Sequence, residues 1–140
     1  MIPMKAKVSS LFLVVVLMLS LSISAGAADN GGFSPMYDSA GRCTPSIIFS
    51  GRNATCIANV RANESTAKIT VTMTLYKIES NGVLTWKAGW SNLTGTGRLD
   101  VSKPYSGTTP KCNYRLSVSG TIKDSTGTHP ISAYRDVYCP

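Results

Sequence analysis

Any chemistry in this chain has to come from four cysteines, one histidine and a few acids. Cys43, Cys56, Cys112 and Cys139 form an even set with no C-x-x-C pair, and His129 is the sole imidazole. Metal-ligand spacing is missing, so neither a metal nor a cofactor is expected. A serine triad needs a histidine beside a nucleophile. His129 instead stands next to Pro130 in an apparent turn, and the chain contains no G-x-S-x-G. Glu64, Glu79, Asp100, Asp124 and Asp136 are candidates for paired-carboxylate glycoside chemistry. No local context pairs them, and three of the five fall in turn-like stretches. Phosphate loops, dinucleotide fingerprints and calcium loops are absent. The expectation is a chain with no catalytic residues, hence not an enzyme.

Binding is the chemistry left over. Tyr76, Tyr134 and Tyr138 fall on strand faces opposite the expected core. Exposed aromatics on a sheet can hold sugar rings or an aromatic partner. The plainer reading is that such tyrosines stiffen strands through cross-strand pairs. Lys77, Lys87, Arg115 and Arg135 also lie on strands and would add a preference for anions. The remaining basic residues are scattered singly and form no run.

These side chains depend on strands, and the stretch from Lys68 to Trp90 organises them. Ile69, Val71, Met73 and Leu75 alternate with Thr70, Thr72, Thr74 and Tyr76, the strongest strand pattern in the chain. Ser80-Asn81-Gly82 supplies a hairpin turn. On the return, Leu84, Trp86, Ala88 and Trp90 share the core face by period two. Shorter strands are expected around Ile47–Phe49, Ala54–Val60, Leu99–Val101, Tyr114–Ile122 and Ile131–Val137. Gly120 interrupts the Tyr114–Ile122 strand, the sixth in chain order, and suggests a bulge there. Asn53, Asn63 and Asn92 head N-x-S/T triplets and serve as loop markers.

About seven short strands without helical period predict an all-β fold, an antiparallel two-sheet sandwich resembling immunoglobulin-type domains. Tyr114 near the start of the sixth strand resembles the tyrosine corner of such domains, with Trp86 or Trp90 packed between the sheets. Leu116 stands where a partner for Cys56 would be, so the inter-sheet disulfide of antibody domains is not expected.

Everything before Ala28 reads as an export leader. Lys5 and Lys7 precede the apolar run Leu11–Leu19, and Ala25-Gly26-Ala27 follows it. Nine apolar residues are too few for a membrane span. Cleavage is expected between Ala27 and Ala28, giving a secreted protein with no membrane span once the leader, a signal helix, is gone. The division is then a signal peptide over 1–27, a flexible segment over 28–42 and a sandwich domain over 43–140. Losing the two leader lysines leaves 12 basic residues against 7 acidic ones, a net charge of about +5. A basic exported protein meets wall polymers, lipid headgroups and acidic glycans. Nucleic acid is not an expected partner, because export removes it.

Four cysteines in an exported domain imply disulfides. Folding the last two strands about Asp124–Gly127 brings Cys112 close to Cys139, which leaves Cys43 for Cys56. A sandwich of this order also leaves Cys56 with Cys139 open.

The segments Ala54-Thr55-Cys56-Ile57-Ala58, ITVTMTLYK, the strand holding Trp86 and Trp90, and YRLSVSGT-I occur together here. In this the chain resembles a group of small secreted proteins of Gram-positive bacteria, each pairing a signal peptide with one sandwich-like domain and having no assigned function. The resemblance spans 54–138 and implies fold and export, not a site. The leading expectation is a non-catalytic extracellular module that binds a surface, glycan or protein. The alternative is a secreted toxin or enzyme inhibitor, and a small glycosidase is a third reading.

Overall fold

Strict in–out alternation runs from Gly41 to the C-terminus, and that alternation builds the fold. A computed structural model describes residues 40–140, together with the backbone of two short strands before them, β1 (Phe33–Ser34) and β2 (Met36–Asp38). The expected leader over 1–27 and its cleavage point at Ala27 and Ala28 lie outside the described residues. Seven long strands follow: β3 (Gly41–Ser50), β4 (Asn53–Ala62), β5 (Lys68–Ile78), β6 (Leu84–Thr96), β7 (Arg98–Ser106), β8 (Cys112–Asp124) and β9 (Gly127–Cys139). Among the described residues there is no helix, and hence none long and apolar enough to cross a membrane.

The strands are antiparallel in the order β1-β9-β8-β5-β6-β7-β4-β3-β2. Only the pair Thr96↔Arg98 joins β6 to β7. The ladder therefore parts there into two layers, β9-β8-β5-β6 and β7-β4-β3, the two-sheet sandwich expected from the pattern. β3 packs over β9 and β8, and β4 lies against β5 and β8. Between them sit Cys56, Ala58 and Val60 of β4, Ile69, Val71, Met73 and Leu75 of β5, and Tyr114, Leu116, Val118 and Ile122 of β8, all buried. Tyr114 makes the expected corner: its hydroxyl accepts a hydrogen bond from the Thr109 backbone N–H at 2.7 Å, and its ring meets Phe49 at 5.6 Å between centroids.

Four expectations need correction. The segment 28–42 is not wholly loose: β1 pairs with β9, β2 pairs with β3, and β3 begins at Gly41 with its backbone buried. Gly120 makes no bulge, since register is unbroken through Gly120↔Val71 and Gly120↔Ile131. A glycine is needed because a Cβ there would stand 2.0 Å from the Thr70 carbonyl oxygen. The third correction concerns β6. Its register shifts between Leu75↔Ala88 and Tyr76↔Trp86, so Lys87 is an extra residue. A bulge reverses in–out parity. Ala88 and Trp90 stay inward, whereas Leu84 and Trp86 turn to the outer face, Trp86 being 62% exposed. A second shift around Asn92 (φ 55°) returns Leu93 to the core, so Asn92 lies inside a strand and not in a loop.

The fourth correction is the pairing of Cys43 with Cys56. Cys43 faces Val60 and Cys56 faces Ile47, four positions along the β3–β4 ladder. Four positions are about 13 Å of strand, and a disulfide spans under about 7 Å between Cα atoms.

Candidate functional site

The three tyrosines singled out in the sequence share one outer surface, that of the four-stranded sheet. One row crosses all four strands as Trp86↔Tyr76↔Arg115↔Asp136. Tyr134 and Tyr138 flank Asp136 along β9, two residues to either side. Four aromatic side chains thus stand on a surface roughly 14 Å wide, at about 4.8 Å per strand. Trp86 and Tyr138, 55% exposed, are its most open members, and Leu84 lies beside Trp86.

Sequence reasoning missed Trp86, because period two carried across an unseen bulge. The available signal was Gly89, three residues on. The indole lies over Gly89, so a Cβ at that position would meet Trp86 Nε1 at 3.5 Å. Glycine there clears room for a ring lying along the sheet, a flat apolar platform. Below the aromatics the same face carries a run of short hydroxyls, ending at Lys68 and Lys123. Thr70, Thr72 and Thr74 of β5 stand opposite Thr121, Ser119 and Ser117 of β8. Flat rings beside a field of hydroxyls suit a ligand with an apolar face and polar rim.

Charge among the aromatics is spent internally. Arg115 gives Nε and Nη2 to the two Asp136 oxygens at 2.7 and 2.9 Å, and its guanidinium lies 4.1 Å from the Tyr134 ring centroid. The pair fixes Tyr134 in place rather than offering a free cation. Lys77 turns toward Glu79 at 3.6 Å, Lys87 is the bulge residue, and Arg135 has inward parity opposite Leu116. The four strand cations do not make an anion site together.

The candidate catalytic groups are dispersed. His129 lies on β9, where its Nε2 meets both Thr126 Oγ1 at 2.8 Å and Asp124 Oδ1 at 3.1 Å. A relay needs nucleophile and acid on opposite ring nitrogens, and here both touch the same one. The cluster instead ties the β8–β9 hairpin. Hydrogen bonding from Thr126, then from His129, holds the Asp124 carboxyl below the usual carboxylate range, the reverse of what a general acid needs. Glu64, which lines the same depression as Asp124, is bonded to the N–H and hydroxyl of Ser125. Glu79 accepts from Thr85 at 2.9 Å. Among the described residues no group of three or more His, Cys, Asp or Glu could hold a metal ion.

All four cysteines are free thiols in the structure. Burial pushes the Cys43 and Cys56 thiols up to about 11, which leaves almost no thiolate at neutral pH. Cys112 and Cys139 are direct cross-strand partners at the open ends of β8 and β9.

No family model matches the chain, and no curated protein is similar to it. Among solved structures it is similar to a protein from Archaeoglobus fulgidus, at 11% identity and a TM-score of 0.37, over 74% of this chain and 94% of that one.

Proposed function

We propose that this chain is a secreted, non-catalytic module that binds a glycan outside the cell. The observation that carries this reading is the shared outer face of Tyr76, Trp86, Tyr134 and Tyr138. Sugar rings present an apolar face that stacks on a flat aromatic, and their hydroxyls find partners in Ser and Thr side chains. Trp86, lying over Gly89, is the anchor, and Tyr138 is the second platform across the sheet. The Arg115–Asp136 pair holds the centre of the surface rigid, which lowers the entropy cost of binding. Membership of the group of small secreted Gram-positive proteins and removal of the leader at Ala27 are parts of the same proposal.

Export also gives Cys112 and Cys139 a role. Opposed cross-strand residues have Cα atoms about 4.5–5.5 Å apart, inside the roughly 4.4–6.8 Å that a disulfide spans. In the secreted protein these two close a bridge beneath Tyr138, while Cys43 and Cys56 stay reduced in the core.

The test is a glycan screen with the mature chain and its W86A, Y76A, Y134A and Y138A variants. Retention of one or more glycans, weakened about tenfold or more by W86A, supports the reading. Retention unchanged in all four variants, or no retention at all, overturns it.

A further inference from the structure

The other sheet carries a feature that the sequence hides. Arg42, Arg61 and Arg98 are far apart in the chain, yet strand register sets them side by side. Arg42 pairs with Arg61 across β3 and β4, and Arg61 pairs with Arg98 across β4 and β7. All three have the outward parity of their strands. They form a row of three guanidinium groups on the outer face of the three-stranded sheet, spanning roughly 10 Å.

Like charges placed directly opposite each other on a sheet destabilise it. One acid partly offsets this row. Asp100 gives one oxygen to Arg61 Nη1 at 2.8 Å and the other to Arg98, at 2.5 Å from Nη2 and 3.1 Å from Nε. Arg61 uses Nη1 alone for Asp100 and for the Val60 carbonyl. Arg42 pairs with no carboxylate among the described residues. Asp100 therefore aims two of the cations without neutralising the row.

Between Arg42 and Arg61 lies a shallow depression of about 290 Å³, with Thr44 and Asn59 completing its lining. Thr44 and Asn59 are themselves cross-strand partners, one row along from the arginines. Two planar forks, a hydroxyl and an amide thus converge on one space, and every one of them can donate. Guanidinium forks match oxyanions with two parallel hydrogen bonds. The hydroxyl and the amide add partners for the neutral hydroxyls of a sugar. No exposed apolar side chain lines the depression, as an inserting membrane site would require.

We infer that Arg42, Thr44, Asn59 and Arg61, extended by Arg98, form a second binding site that takes the sulfate or carboxylate groups of an anionic polysaccharide. The site stands on the strand register. Its ligand class rests on the glycan-binding reading of the opposite face. Asp100 is a positioning residue that orients Arg61 and Arg98.

The experiment measures binding of the mature chain to heparin, to polygalacturonate and to neutral dextran, at roughly 0.05 M and 0.5 M ionic strength. Heparin and polygalacturonate separate sulfate from carboxylate as the preferred group. Binding to at least one, falling at least tenfold at the higher salt, is expected. R42T should weaken it severalfold and R42T/R61T at least tenfold, with thermal stability of R42T equal or higher because a like-charge pair is gone. R42K keeps the charge, loses the fork and should restore only part of the affinity. K103T/K111T removes two charges elsewhere and should change binding less than twofold. Equal loss in K103T/K111T and R42T/R61T would reduce the site to net charge and overturn the proposal. So would retention of neither polysaccharide, or binding to phosphatidylserine vesicles alone. W86A separates the two faces: it should lose neutral-glycan retention and keep heparin binding; unchanged neutral-glycan retention in W86A fails the first reading only, and heparin binding that falls in W86A but not in R42T/R61T fails the second.

Discussion

The two outer faces of this sandwich handle charge in opposite ways. On the four-stranded sheet, a single arginine is matched oxygen for nitrogen by Asp136 and capped by Tyr134. On the three-stranded sheet, Arg61 and Arg98 share one aspartate, and Arg42 beside them has no carboxylate partner among the described residues. The first face has apolar rings in the open and no spare cation among them; its Lys68↔Lys123 pair stands at the far end of β5 and β8. The second has spare cations and a small polar depression. Stability alone explains the first arrangement, since a bidentate pair holds a strand pair together. It does not explain the second, because opposed like charges cost stability. Where a fold carries a feature that weakens it, function is the natural account.

The strongest way to break this contrast is to damage the frame of one face only. Gly120→Ala puts a Cβ into the backbone of β5, at Thr70 and Val71. We expect a loss of about 3 kcal/mol or more in chemical denaturation, with amide exchange rising first in β5 and β8. An effect below about 1 kcal/mol would mean that the close approach is wrong.

Next in size is the bridge beneath Tyr138. Mass analysis of the secreted, non-reduced chain should show Cys112 joined to Cys139 and two free thiols at Cys43 and Cys56. Cys139→Ala should cost about 2–3 kcal/mol and loosen the aromatic face while leaving heparin binding in place. A bond between Cys43 and Cys56 would contradict the β3–β4 register.

Smaller still is the cost of losing Trp86. W86A should leave the melting temperature nearly unchanged, since the ring is mostly exposed, and weaken glycan binding about tenfold, or about 1.4 kcal/mol. A large fall in stability would return Trp86 to the core.

The smallest effect concerns Asp100. Its carboxyl is held below the usual carboxylate range, first by the hydrogen bond from Arg61 and then by that from Arg98. A depressed folded value means stability that is present above the unfolded value of about 3.9 and lost as pH falls below it. Asp100→Asn should therefore flatten the loss of stability in acid below about pH 4. The effect is modest because the pair is open to solvent. Identical acid limbs in the two proteins would show that Asp100 does not hold Arg61 and Arg98 in the folded protein.

Much of this molecule is readable from its residues. Alternation at Ile69–Leu75 and Tyr114–Val118 gives strands, faces and core, because a half-buried strand has no other pattern available to it. Tyr114 marks its corner by position alone. The exported-domain logic also brought Cys112 and Cys139 opposite each other, since a tight turn at Asp124–Gly127 sets the register around it. The failures share one cause, which is information carried by pairing between strands. Lys87 adds a residue to β6 that no local pattern reveals, and that extra residue moves Trp86 from core to surface. Subtraction pairs Cys43 with Cys56, whereas the ladder holds them four positions apart. Arg42, Arg61 and Arg98 look scattered along the chain, and only the order β7-β4-β3 makes them neighbours.

Tryptophan fluorescence tests the central claim most directly, because the two indoles lie on opposite sides of the sheet. A glycan retained in the screen is titrated into the wild type, W86F and W90F. The account predicts a change in emission that survives in W90F and disappears in W86F. A change that follows Trp90, or equal changes in both variants, would contradict an aromatic platform on the outer face.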